Sequence, residues 1–274
     1  MLAMVQDTYG SAEVLQLRDI DKPAIADDEV LVRVRAAGVN PADWAIMSGL
    51  PYIARPVYGM RKPKNAVRGT DVAGQVEAVG TGVTRFQPGD EVFGWCIGAY
   101  AEYAAVSEGA LVLKPANLTF EQAAAVPMAG LVALQALRDH GNVQAGQTVL
   151  VNGASGGIGT FAVQIAKSLG AQVTGVCSTR NVDLVRSIGA DHVIDYTQED
   201  FTRSGQRYDF ILDKRGEPLT VRPARRAHPD RNACAERRRV RQSLVRQRRS
   251  RDQSERVETV RGPQAATVPR VAEA

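Results

Sequence analysis

The stretch NGASGGIG, residues 152–159, follows the apolar run QTVLV and precedes the amphipathic run IGTFAVQIAKSLG. A parallel strand that turns at once into a helix aims unpaired backbone N–H groups at whatever lies above the turn. Glycine is required there because a Cβ would hold a pyrophosphate away. Gly156 and Gly159 fill the second and third positions of G-x-G-x-x-G, and Ala154 stands where the first glycine would be. Ala154, Ser155, Gly156, Gly157, Ile158 and Gly159 are therefore candidate cofactor-binding residues. The bland alternative is a tight turn that binds nothing.

A dinucleotide is selected at the end of the next strand, where a carboxylate would take the ribose 2′-hydroxyl of NAD. Here AQVTGVCS runs into CSTRN, which offers Ser178, Thr179 and Arg180 and no acid. Hydroxyls beside a guanidinium suit a 2′-phosphate, which favours NADP over NAD. The competing reading is a solvated arginine at a helix start. Metal chemistry fails on inventory. The histidines are His140, His192 and His228, the cysteines Cys96, Cys177 and Cys234, and none share ligand spacing, so no metal site is expected. Asp43 and Asp71 are candidate polar groups upstream, although a turn or surface role is the commoner fate of an aspartate.

The elements that would position these residues can be read from periodicity. Up to residue 118 short β runs such as EVLVRVRAAGV, TDVAGQVEAVG and PGDEVFGW are punctuated by Gly and Pro, as in an irregular barrel or sandwich. From 119 the texture is helical, with Thr119 as N-cap, Gly141 as C-cap and a break at Pro127. Strands and helices then alternate to YDFILD, which ends at Asp213. The fold class is α/β, with a doubly wound parallel sheet at 119–213 after the β domain at 1–118.

Composition breaks at that point. Of 34 Lys and Arg, 17 lie in residues 214–274, against 7 of the 30 acidic residues, and the tail has no aromatic residue, Ile or Met. Such a segment cannot bury enough apolar surface to offset its ordering entropy, so 214–274 is expected to be disordered or nearly so. No apolar run is long enough to span a membrane and the N-terminus lacks a leader pattern, so a cytoplasmic protein with reduced thiols is expected.

GVNPADW, RGTDVAGQVEAVG, PGDEVFG, AAAVPMAGLVALQAL, VLVNGASGGIGTFAVQIAKSLGAQVTG and GADHVIDY together resemble the zinc-independent medium-chain dehydrogenase/reductases, in their quinone oxidoreductase-like branch. The resemblance runs from about residue 2 to Asp213. It implies a GroES-like β-barrel followed by a Rossmann domain, NADPH as cofactor, and hydride transfer to a quinone or an α,β-unsaturated carbonyl. It places Asn40 and Asp43 near the nicotinamide and acceptor, Tyr52 and Trp44 along the acceptor pocket, and Tyr196 beside the adenosine 2′-phosphate. Zinc-dependent relatives carry Cys where Asn40-Pro41 stands and His-Glu where Thr70-Asp71 stands, so both metal sites are read as absent.

A short-chain dehydrogenase would need Tyr-x-x-x-Lys downstream of the turn, and the one such pair, Tyr58 and Lys62, lies upstream. The rival from another class is a non-catalytic NADP-binding sensor or scaffold. For the tail, a basic nucleic-acid arm and a linker compete with a shifted reading frame, which the codons permit and which restores a helix, a strand and a glycine turn. The frame reading is preferred and nucleic acid is not expected as a partner. On that reading the Rossmann half is truncated, the sheet ends in a bare edge at YDFILD, the family's dimer interface is lost and turnover is impaired.

Overall fold

A computed structural model of the chain describes residues 1–213 and, as backbone alone, the strand Thr220–Arg226. The first strands, β1 (Leu2–Val5) and β2 (Gln16–Asp19), form an antiparallel pair. Then come β3 (Glu29–Gly38), α1 (Pro41–Ser48), α2 (Arg55–Tyr58), β4 (Asp71–Val79), β5 (Glu91–Trp95), β6 (Tyr103–Ser107) and β7 (Leu111–Leu113). The last five strands of this series make an antiparallel sheet in the order β6-β3-β4-β5-β7. Single bridges, Ala3 to Ala101 and Val5 to Val67, tie the small pair to it. Val30, Val32, Val72, Val76, Val92, Val106 and Leu111 fill the interior. Leu31, between Val30 and Val32 in the same strand, is buried as well; the register with β4 shifts between Leu31 and Val32, and such a bulge re-aims side chains.

Two short helices follow, α3 (Phe120–Ala124) and α4 (Pro127–Leu134), the latter running on as a wider helical turn through His140. Thr119 caps α3: its Oγ1 accepts from Gln122 N at 3.2 Å, and Gln122 Oε1 accepts from Thr119 N at 3.0 Å. Pro127 opens α4, where its missing N–H costs nothing. Gly141 ends the helical run at φ −85°, so handedness does not demand it. A Cβ there would lie 2.5 Å from the Phe210 ring.

The second sheet is built from β8 (Thr148–Asn152), β9 (Gln172–Cys177), β10 (His192–Asp195), β11 (Arg207–Asp213) and β12 (Thr220–Arg226), with α5 (Gly157–Ser168) after β8 and α6 (Val182–Ser187) after β9. Its order is β10-β9-β8-β11-β12, and the pairings from β10 to β11 are parallel. This is the doubly wound order, which reverses direction between β8 and β11, where ligands bind beyond the strands' C-terminal ends. Gly159, Ala162, Val163 and Ala166 recur at helical spacing and bury one face of α5 against the sheet.

The expectation of a bare edge at β11 is corrected, because β12 lies hydrogen-bonded beside β11. Strand pairing uses backbone groups that every non-proline residue carries, so a tail without aromatics can still supply a strand, and Pro223 is tolerated on an outermost one. The expectations of disorder, frame shift or a nucleic-acid arm for the rest of 214–274 lie outside the described residues. Before β11, a turn at Phe201–Arg203 is capped by the Asp200 side chain, which accepts from Thr202 N at 3.0 Å. Among the described residues no helix is long and apolar enough to cross a membrane.

Candidate functional site

At the end of β8 the chain turns at Gly153, whose φ of +88° suits glycine. Gly153 N and Ala154 N both donate to Val176 O at 3.0 Å, which pins the turn to β9. The tight turn therefore rests on Gly153 and not on the residue at 154. Ala154 is buried, with its methyl directed at the strand glycine Gly175.

Gly156 precedes α5, and no side chain caps that helix among the described residues, so its first-turn N–H groups have no side-chain acceptor. Gly157 is exposed, and a Cβ there would meet only Ala129 Cβ, at 4.0 Å. The space beside Gly157 is thus open. Gly159 serves the opposite purpose. A Cβ on it would fall 2.1 Å from Gly153 O, so the helix could not pack on the turn.

The end of β9 comes to the same place. Asn181 donates from Nδ2 to Ser155 Oγ at 3.0 Å and to Ser178 Oγ at 3.3 Å, joining the glycine turn to the second strand. Arg180 is exposed and makes no ion pair among the described residues. Tyr196, just beyond β10, donates its N–H to Cys177 O at 3.0 Å, which brings it beside Ser178. Sequence reasoning found no acid at the end of β9, but the fold delivers one from β10. Asp195 accepts from Thr179 Oγ1 at 2.6 Å and from Gln198 Nε2 at 3.0 Å on one oxygen. On the other it accepts from Thr197 N at 2.9 Å and Thr197 Oγ1 at 2.8 Å. These bonds, that from Thr179 foremost, hold its pKa below the usual value. At the reversal point Asn152 Nδ2 donates to Asp213 Oδ1 at 2.8 Å, joining the ends of β8 and β11.

A second polar cluster lies at the end of β3 and the start of β4. Asp43 is buried and fully engaged: Oδ2 accepts from Asn40 N at 2.8 Å and Tyr100 Oη at 3.1 Å, and Oδ1 from Thr70 Oγ1 at 3.1 Å. Asp71 Oδ2 accepts from Asn40 Nδ2 at 3.0 Å and from Met128 N, in the first turn of α4, at 3.1 Å. Its other oxygen is buried without a hydrogen-bond partner among the described residues. Burial raises the Asp71 pKa against the two hydrogen bonds that lower it. Burial likewise raises the Tyr100 pKa and pushes the Cys96 thiol up to about 12.

Asn40, Asp43, Thr70 and Asp71 thus converge, although the sequence separates the two pairs by about thirty positions. Tyr52 is not hydrogen-bonded to them among the described residues. It is exposed and its ring stacks 4.5 Å from the Arg55 guanidinium. Trp44 is exposed on α1. Among the described residues no three His, Cys, Asp or Glu side chains group as metal ligands would.

The chain is similar to known proteins. Residues 26–116 match the alcohol dehydrogenase GroES-like domain, and residues 157–227 match the family described as zinc-binding dehydrogenase. A chloroplastic quinone-oxidoreductase homolog of Spinacia oleracea is 36% identical over 216 residues, which is 74% of this chain. This chain spans 64% of that protein's length. The solved quinone oxidoreductase of Coxiella burnetii is 33% identical with a TM-score of 0.72, the match covering 79% of this chain and 69% of that one. The Escherichia coli quinone oxidoreductase complexed with NADPH is 29% identical with a TM-score of 0.69, covering 80% of this chain and 67% of that one.

Proposed function

The chain belongs to the quinone oxidoreductase-like branch of the medium-chain dehydrogenase/reductases, and from that premise we propose that it binds NADPH and reduces a quinone or an α,β-unsaturated carbonyl without zinc. The observation that carries this reading is the polarity of the turn. The N-terminus of α5 and Arg180, which among the described residues have no side-chain cap and no ion pair, offer donors and positive charge to a phosphate, and the space beside Gly157 is open. The residues fit the cofactor: Ala154–Gly159 would take the pyrophosphate, and Ser178, Arg180 and Tyr196 the 2′-phosphate. When bound, the nicotinamide supplies the hydride.

The protein's own part is to orient and to exclude water. Asp43 and Asp71 hold Asn40 from two sides, through its backbone N–H and its side-chain amide, so that the amide faces the acceptor in one orientation. Tyr52 and Trp44 are the proposed acceptor wall. Zinc independence is supported by Asn40 and Thr70, which are poor zinc ligands, and by an Asp43 whose oxygens are already committed. We place the protein in the cytoplasm, where its buried free thiols Cys96 and Cys177 would stay reduced. Turnover is proposed to be slow, because the strands that would hold the nicotinamide half fall in the Arg-rich stretch after Asp213.

Equilibrium binding of NADPH and NADH, followed by NADPH oxidation with a panel of quinones and enones in the presence of a chelator, tests the proposal. NADPH should bind the more tightly, and at least one acceptor should be reduced with the chelator present. Failure to bind NADPH overturns the reading. Binding with no oxidation by any acceptor would favour a sensor or scaffold.

A further inference from the structure

Asn181 closes the short turn Thr179–Asn181 that runs on into α6, and among the described residues its side chain caps neither. Its amide nitrogen is instead turned across to two serines, Ser155 in the glycine turn and Ser178 after β9, at 3.0 and 3.3 Å. An amide nitrogen carries two protons and no lone pair for hydrogen bonding, so both serine oxygens must act as acceptors here. Each hydroxyl then has its own proton left to donate elsewhere. Both serines are half-buried, with part of their surface open.

We propose that Asn181 is a specificity-determining positioning residue, which turns the Ser178 hydroxyl into an outward donor and so selects a cofactor bearing a 2′-phosphate, while Ser155, held by the same amide, stays with the pyrophosphate. This rests on the cofactor reading above. A phosphate accepts hydrogen bonds and does not donate them at neutral pH, whereas the 2′-hydroxyl of NAD is best held by a carboxylate that accepts from it. The carboxylate nearest to that task, Asp195, takes two donors on each oxygen and has little capacity left. The 2′ end of the site is therefore set to donate at Ser178 and is short of an acceptor for an unphosphorylated ribose. Arg180 contributes the charge. Asn181 contributes the direction of the protons.

The test is equilibrium binding of NADPH, NADH and adenosine 2′,5′-bisphosphate to the full chain and to Asn181→Asp, Asn181→Ala and Ser178→Ala. None of these measurements needs turnover. A carboxylate at 181 would draw both serine protons inward, and NADPH and the bisphosphate should weaken about tenfold or more, with NADH changed far less. Because that variant also adds charge, Asn181→Ala is the decisive one: it should weaken NADPH by several-fold and NADH clearly less, and Ser178→Ala should weaken NADPH and spare NADH. Melting temperatures report whether each variant is folded. Equal losses of NADPH and NADH, or no loss of either, would make Asn181 a structural tie and overturn the inference alone. If the unaltered chain binds neither dinucleotide, the cofactor reading falls and this inference falls with it.

Discussion

Replacing Gly159 by alanine adds one methyl group and should separate packing from binding at the turn. The added Cβ would lie 2.1 Å from Gly153 O, 2.8 Å from Ala154 Cα and 2.9 Å from Ala154 C. Ordinary van der Waals contact begins near 3.4 Å, so the worst overlap exceeds 1 Å, and every atom met belongs to the backbone. No side chain can swing aside; α5 must move away from β8, opening the interface formed by Ala162, Val163 and Ala166. Overpacking of a close-packed core costs about 1–3 kcal/mol, and a backbone-on-backbone clash belongs at the upper end, about 3 kcal/mol. For a chain of this size that is a fall of roughly 6–12 °C in melting temperature.

Gly157→Ala is the matched control. Its Cβ meets nothing closer than 4.0 Å, so the melting temperature should hold, while affinity for NADPH drops because the methyl occupies the open face of the turn. Thermal melts and dinucleotide titrations of the two variants decide the matter. If Gly159→Ala melts with the unaltered chain, or if Gly157→Ala lowers stability and leaves affinity intact, the division of labour between the two glycines is wrong.

Arg180→Glu should weaken NADPH by about 10–100-fold, the scale of a lost charge-assisted hydrogen bond, and spare NADH; equal losses for both would place Arg180 away from the 2′-phosphate. Asp71→Asn tests the buried carboxyl through pH. Burial raises the Asp71 pKa above its ordinary 3.8, so its contribution to stability is fully present below about that pH and is lost as pH rises through the folded-state value. The asparagine variant does not titrate. Its melting temperature relative to the unaltered chain should therefore climb from pH 4 to pH 8, and a difference independent of pH would show that Asp71 is not strained by ionisation.

What the residues determined by themselves was local. Thr119 and Gln122 lie three apart and cap α3 wherever that helix sits, and Pro127 splits the helical run by its own ring. The alternation of apolar strands with amphipathic helices imposed a parallel sheet, and the glycines after β8 marked its open end. Tertiary structure decided whatever depends on strand order. The turn needs its positive φ at Gly153, while the glycine motif drew attention to 154. Asp195 reaches Thr179 because β10 lies beside β9, and Asn181 reaches Ser155 because the end of β9 lies beside the turn. Met128 N reaches Asp71 across 57 residues. Periodicity reports which face of an element is buried, but not which element covers it. That is why the acid at the adenosine end, the asparagine that orients two serines and the strand beyond Asp213 appeared only once the chain was folded.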